Sequence, residues 1–228
     1  MTRLFLILST TILIFSELTL GQAATDPSLQ DLLHHIETGY SQMKDFQADF
    51  TQETMIEGFD MPLKSSGRVS IKKPGLLRWD YLKPSVEHMY VNGDHIKMFT
   101  PEYNQVIQGS LTRIVATQAP LRLLQGIGKL SEHFDVQPTG DDELGTGGLP
   151  LLTLIPKNAP GAKPSLVHKM IADIQPQTYF IQSLTLHETT GNVSTFRFSD
   201  IQANIGLNGH MFEFVPPEGV VVVDDVLP

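Results

Sequence analysis

Hydrophobic and polar positions alternate most clearly between Ser65 and Val106. In Leu77-Arg78-Trp79-Asp80-Tyr81 an apolar residue follows every charged one. Successive side chains on a strand face opposite ways, so Leu77, Trp79 and Tyr81 share a face and Arg78 and Asp80 share the other. Val69 with Ile71, and Ile96 with Met98, follow the same rule. Pro74-Gly75, Lys83-Pro84 and Asn92-Gly93-Asp94 supply the turns. The pattern predicts an antiparallel meander with one oily face and one wet face.

The rest of the chain extends it. Leu29, Leu32, Leu33, Ile36 and Tyr40 recur at helical spacing, which predicts a helix over residues 27–43 with Asp26 as N-cap and Pro27 in its first turn. Phe46 to Glu57 reads as a first strand with Phe46, Ala48 and Phe50 on one face, and 57–62 as the turn that follows. A second helix is predicted to start at Pro120. Short strands are expected at Phe134 to Gln137 and Leu151 to Ile155, with a polar glycine-rich turn over 141–148 and a loop over 158–164. Three longer strands cover Leu166 to Ile174, Tyr179 to Glu188 and Val193 to Gln202. A closing strand is expected at Met211 to Val215. The count is about ten or eleven strands and two helical segments.

Composition narrows the class. The chain has 228 residues, no cysteine and a formal net charge of −9. An acidic balance speaks against a nucleic-acid partner, which needs a basic footprint. Residues 1–23 read as a secretory signal, with Arg3 as the positive region, Leu4 to Phe15 as the apolar core and cleavage after Ala23 or Ala24. Residues 24–228 are then one exported domain, and without a cysteine at the cleavage site it is not itself lipidated there. No nucleophile elbow, metal-binding helix or phosphate loop is present. The eight histidines read as surface residues, although His88 and His95 flank a turn. Asp141, Asp142 and Glu143 read as solvated. No enzyme, metal or cofactor is expected.

Three segments together resemble the LolA family of outer-membrane lipoprotein carrier proteins. They are Phe46-Gln47-Ala48-Asp49-Phe50-Thr51-Gln52, the stretch from Ser65 to Val106, and Phe212-Glu213-Phe214-Val215-Pro216-Pro217-Glu218-Gly219-Val220 followed by Asp224-Asp225. The resemblance implies a mostly β fold with an α-helical lid (α+β): an incomplete antiparallel barrel of about 10–11 strands covering helices. It implies a monomeric periplasmic chaperone that carries the acyl chains of lipoproteins to the outer membrane. An inner-membrane ABC transporter would load it and an outer-membrane acceptor lipoprotein would unload it. Tyr40, Met43, Phe50, Leu77, Trp79, Phe196 and Phe198 are the expected acyl-chain contacts. Lys73 stands where the family often has an arginine that holds the lid shut, and lysine lacks the planar fork of that residue. Lys72 and, as an alternative role, Lys73 also suit a solvated strand edge. A carrier or sensor of another hydrophobic ligand on the same half-barrel is the competing reading.

Overall fold

The computed structural model describes residues 28–110, 130–140, 142–157 and 165–224. The signal segment, the helix expected at Pro120, the loop 158–164 and Asp141 lie outside these residues.

Among the described residues the strands form one open twelve-stranded sheet. In chain order they are β1 (Asp45–Met55), β2 (Leu63–Lys72), β3 (Leu76–Lys83), β4 (Glu87–Asn92), β5 (His95–Thr100), β6 (Gln105–Ser110), β7 (Phe134–Pro138), β8 (Leu152–Pro156), β9 (Val167–Ile174), β10 (Ile181–Glu188), β11 (Val193–Ala203) and β12 (Val221–Asp224). Their order across the sheet is β12-β6-β5-β4-β3-β2-β1-β11-β10-β9-β8-β7. Two meanders thus meet at β1 and β11. Helix α1 (Leu29–Gln42) precedes the sheet, and the single turn α2 (Leu130–His133) precedes β7.

The predicted faces hold. Leu77, Trp79, Val69, Ile71 and Ile96 are buried on one face, and α1 packs its Leu32, Ile36 and Tyr40 into the same core. Phe50 of β1 lies opposite Gly67 of β2 and Phe198 of β11. A Cβ at Gly67 would stand 1.8 Å from the Asp80 carbonyl oxygen and 3.0 Å from the Phe50 ring. Glycine is what lets β3 pass so close while the Phe50 ring lies flat against β2.

Four expectations are corrected. The helix begins at Leu29, and its cap is Ser28, whose Oγ accepts from the Asp31 N–H at 3.2 Å; the expected cap Asp26 and Pro27 lie outside the described residues. Met211 to Val215 is not a strand. Gly209–Phe212 is a 3-10 turn, and the chain crosses β3 and β4 before pairing again as β12. Phe212 and Phe214 mimic strand alternation, but Pro216 and Pro217 have no N–H to give a ladder. The true closing strand, β12, runs parallel to β6, with Val221 opposite Gln105. Neither Lys72 nor Lys73 lies on an edge: β2 is flanked by β1 and β3, and Lys72 Nζ donates to the Leu207 carbonyl at 2.6 Å.

The segment 204–220 therefore straps the face opposite α1. Arg78 Nη1 donates to the Met211 carbonyl at 3.3 Å, and Lys97 Nζ to the Phe214 carbonyl at 3.3 Å. The Phe214 ring stacks on Tyr90 at 4.8 Å and meets Phe99 at 5.2 Å. Arg78 is held in turn by Asp80 at 2.8 Å, and its guanidinium lies 5.2 Å over Tyr90. His88 stands opposite Phe99 and His95 opposite Asn92, so the two histidines lie at opposite ends of the hairpin. His88 Nδ1 instead meets Asp80 Oδ1 at 2.6 Å.

Candidate acyl-chain site and its helix clasp

The oily face of the central strands gathers an aromatic cluster. Phe50 lies 4.6 Å from Trp79, centroid to centroid, and 6.3 Å from Phe196. Trp79 and Phe196 meet edge to face at 5.7 Å. Tyr81 closes the group at 5.2 Å from Phe50. Register explains the meeting: β1 lies between β2 and β11, and Trp79 pairs with Val69 across β2–β3. Leu77 sits one step along, opposite Ile71 and Val91. Phe198 follows Phe196 on the same face of β11, and both are 5% exposed.

All seven sequence-chosen contacts are thus buried in one apolar core. Two of them, Tyr40 and Met43, come from α1 and its C-cap, so the helix contributes side chains to that core. Polar groups within the cluster are few. Tyr81 Oη donates to Gln52 Oε1 at 2.8 Å, and burial, with a smaller push from Glu87, raises the Tyr81 hydroxyl well above the ordinary tyrosine range. The Trp79 indole N–H is buried without a hydrogen bond of ordinary geometry, and the oxygen it faces is the Tyr81 hydroxyl.

Tyr40 does more than line. Its hydroxyl accepts from the Ile181 N–H at 3.0 Å, while its backbone carbonyl accepts from Lys73 Nζ. Its ring meets Phe180 edge to face at 5.1 Å. One turn back, His35 stacks on Tyr179 at 4.7 Å. The last turns of α1 are therefore gripped between the β2–β3 turn and the β9–β10 turn. Lys73 satisfies a carbonyl that the helix end leaves free, and its positive charge suits that end of the helix dipole. Partial burial lowers the Lys73 pKa below the ordinary lysine value.

A second anchor has no signature in the local residue pattern. Asp45, at the head of β1, is 3% exposed. Its Oδ1 accepts from the Ile205 N–H at 2.7 Å, and its Oδ2 from the Gly206 N–H at 3.0 Å and the Leu207 N–H at 3.3 Å. Lys44 N donates to Asn204 Oδ1 at 2.7 Å, and Lys73 N to the Lys44 carbonyl at 2.9 Å. Lys44, in the link from α1, and Asp45, at the head of β1, are thus bolted to the loop after β11.

The fold and its interior define a β-sheet protein with a helix-covered apolar core and an oily aromatic cluster at its centre. The chain belongs to the outer membrane lipoprotein carrier protein LolA family, whose model matches residues 41–215. An outer-membrane lipoprotein carrier protein of Dechloromonas aromatica is 28% identical over 206 residues, covering 90% of each chain. One from Methylococcus capsulatus is 27% identical over 179 residues, 78% of this chain and 81% of the relative. The crystal structure of an uncharacterised conserved protein from Thermus thermophilus shares the fold, with a TM-score of 0.54 at 14% identity, over 87% of this chain and 99% of that one.

Proposed function

We propose that this protein is a periplasmic carrier that shields the acyl chains of lipoproteins between the inner and outer membranes, with α1 as a movable lid over a half-barrel. The observation that carries the reading is the grip on Tyr40. A helix built only to fill a core needs no cation on its final carbonyls, whereas a cover that opens and recloses needs a contact that breaks cheaply. Family membership and relatives named as lipoprotein carriers support the same conclusion. Carriage, with no covalent chemistry, accounts for the features described.

The physical need is plain. Each buried methylene is worth about 0.8 kcal/mol, so three acyl chains exposed to water would cost on the order of 30 kcal/mol. A carrier must replace the membrane and then release its load. In the described form the lining is closed, with Tyr40, Met43, Phe50, Leu77 and Trp79 all 2% exposed or less. Cargo enters by displacing α1 from the aromatic cluster. Loading then needs a driven inner-membrane partner of the ABC-transporter type, and release needs an acceptor at the outer membrane with a better site.

Trp79 gives the interior a polar handle. Acyl chains reach a lipoprotein through ester and amide carbonyls, and the indole N–H, which faces only the Tyr81 hydroxyl at a poor angle, can turn to donate to one. Trp79→Phe keeps the ring and removes the donor. It is expected to weaken binding of an ester-linked triacyl peptide about fivefold, the worth of one ordinary hydrogen bond, while leaving the affinity for a plain hydrocarbon probe unchanged. Titration calorimetry with both ligands makes the comparison.

Lys73→Leu removes the donor to the Tyr40 carbonyl and leaves that buried acceptor unmet. The closed form should lose about 1–3 kcal/mol, seen as stronger binding of a hydrophobic dye and faster amide exchange in α1. Lys73→Arg should shift both the other way, because a guanidinium can grip two carbonyls. The pH dependence follows from the lowered Lys73 pKa. When α1 lifts, the ammonium returns to water and to its ordinary value, so the clasped form holds the proton less tightly. Closure is therefore favoured as pH rises from the lowered value toward the ordinary lysine range. Lys73→Arg keeps its proton and should flatten that dependence of dye binding.

Reconstituted release of a lipoprotein from inner-membrane vesicles, with the purified protein and an ATP-driven transporter, tests the function directly. Recovery of triacylated peptide with the soluble protein supports it. Copurification of a free glycolipid or phospholipid alone would favour a carrier of another lipid.

A further inference from the structure

Large apolar side chains are exposed together at one end of the sheet. The β1–β2 turn carries Phe59, Met61 and Leu63, which are 67%, 79% and 60% exposed. The β3–β4 turn adds Leu82 at 52% and Val86 at 40%, and the β5–β6 turn adds Tyr103 at 70%. Antiparallel pairing puts these three turns at the same end, since β1 to β6 run alternately up and down. The opposite end of the same strands carries Lys73-Pro74-Gly75 and Gly93-Asp94. On the other half of the sheet, the β10–β11 turn that shares the oily end is Thr189-Thr190-Gly191-Asn192. Turns are ordinarily polar because their backbone needs water. Other apolar side chains are exposed elsewhere, Val215 and Val221 among them, but six gathered on three neighbouring turns exceed the usual scatter of surface hydrophobics.

Its shape and charge select the occupant. The turns stand about 10 Å apart, two strand spacings each, and so present a row of tips about 20 Å long. Gly58, at the apex of the first, has a φ of +83° and nothing within 4 Å of the space a Cβ would fill. Separate protruding tips fit a fluid surface that closes around each one. Glu57, Asp60, Glu87 and Glu102 stand against Lys64 and Lys83 in and beside these turns, a net of −2 in a chain of −9. The patch is therefore weakly acidic, with no positive field to draw anionic headgroups. Tyr103 has the amphipathic ring suited to the headgroup level, and the stems of Lys64 and Lys83 can lie along the apolar zone while their charges stay in water.

We infer that the β1–β2, β3–β4 and β5–β6 turns form a bilayer-docking edge, which inserts Phe59, Met61 and Leu63 shallowly into a zwitterionic phospholipid surface. This goes beyond the carrier reading and does not depend on it, because the surface lies outside the acyl-chain site.

The absence of cysteine makes the test direct. Met61→Cys, labelled with an environment-sensitive fluorophore, is mixed with vesicles of pure phosphatidylcholine. The label should shift to the blue and be quenched by lipids carrying a quencher on their acyl chains. The same label on His95→Cys, at the opposite end, should report only water. A Phe59→Ser/Leu63→Ser double variant should lower vesicle partitioning at least about tenfold, with an unchanged melting curve. Adding anionic phospholipid should change partitioning by no more than about twofold. A Met61 label that stays water-like at saturating lipid overturns the proposal, as does equal burial of the His95 label or binding that appears only with anionic lipid. A label silent with lipid but shielded by a purified membrane protein also overturns it, in favour of a protein-docking edge. Binding of triacylated peptide to the double variant, measured in parallel, separates failure here from failure of the carrier reading.

Discussion

Leu77→Glu should leave the sheet folded while abolishing its use as a lipid shelter. Leu77 is fully buried between Ile71 and Val91. A carboxylate there, with α1 in place, has no partner, and such a burial costs about 3–5 kcal/mol. The chain can relieve part of that cost by lifting α1 and letting water reach the carboxylate, at the expense of exposing Leu32, Ile36 and Tyr40, whereas β3 stays paired on both sides. We expect a near-native far-UV spectrum, a melting temperature lowered by roughly 10 °C, and triacyl-peptide affinity reduced by more than about a hundredfold. Collapse of the whole fold would mean that Leu77 belongs to a core that never opens, and the carrier reading would fall with it.

Asp45→Ala should produce the second large effect, through the hinge. It leaves the N–H groups of Ile205, Gly206 and Leu207 without their acceptor. Bonds to a charged acceptor are worth about 1.5–3 kcal/mol each, and some of that is regained from water, so a net loss of about 3 kcal/mol or more is expected. Asp45→Asn keeps one acceptor oxygen and should lose about half as much. Denaturant titration measures both. Asp45 also fixes the point about which α1 would swing. Asp45→Ala should therefore loosen helix closure and destabilise the sheet together, whereas Lys73→Leu should loosen the helix with little effect on the sheet. Amide exchange resolved by segment separates the two.

What could be read in advance follows from the range of the interactions. The meander around Trp79 was legible because its cause is local: alternating side chains and turns made by Pro74-Gly75 and Gly93. Burial of the aromatic cluster was legible for the same reason, since Phe50, Leu77, Trp79, Phe196 and Phe198 each announce the buried face of their own strand. Tyr40 was expected only as lining. Its role as the gripped residue depends on Ile181 and Lys73, both remote in sequence. Asp45 gave no signal, because its three donors are backbone groups some 160 positions away. The strap was misread as a strand because Phe212 and Phe214 alternate as a strand would, although one is buried against the sheet and the other stacks on Tyr90. The exposed turn apolars stood in plain view as residues. Only the topology showed that three turns share one end.

The place of β12 carries a consequence for how the chain assembles. Its partner β6 is made more than a hundred residues earlier, and β1 waits just as long for β11. The middle of the sheet waits for β11 and the β6 border for β12. Such distant pairings make for slow acquisition of structure. A chain synthesised or threaded from its N-terminus would stay pliable until β11 had followed, and a ribosome stalled short of Val221 would yield a sheet with its β6 border bare.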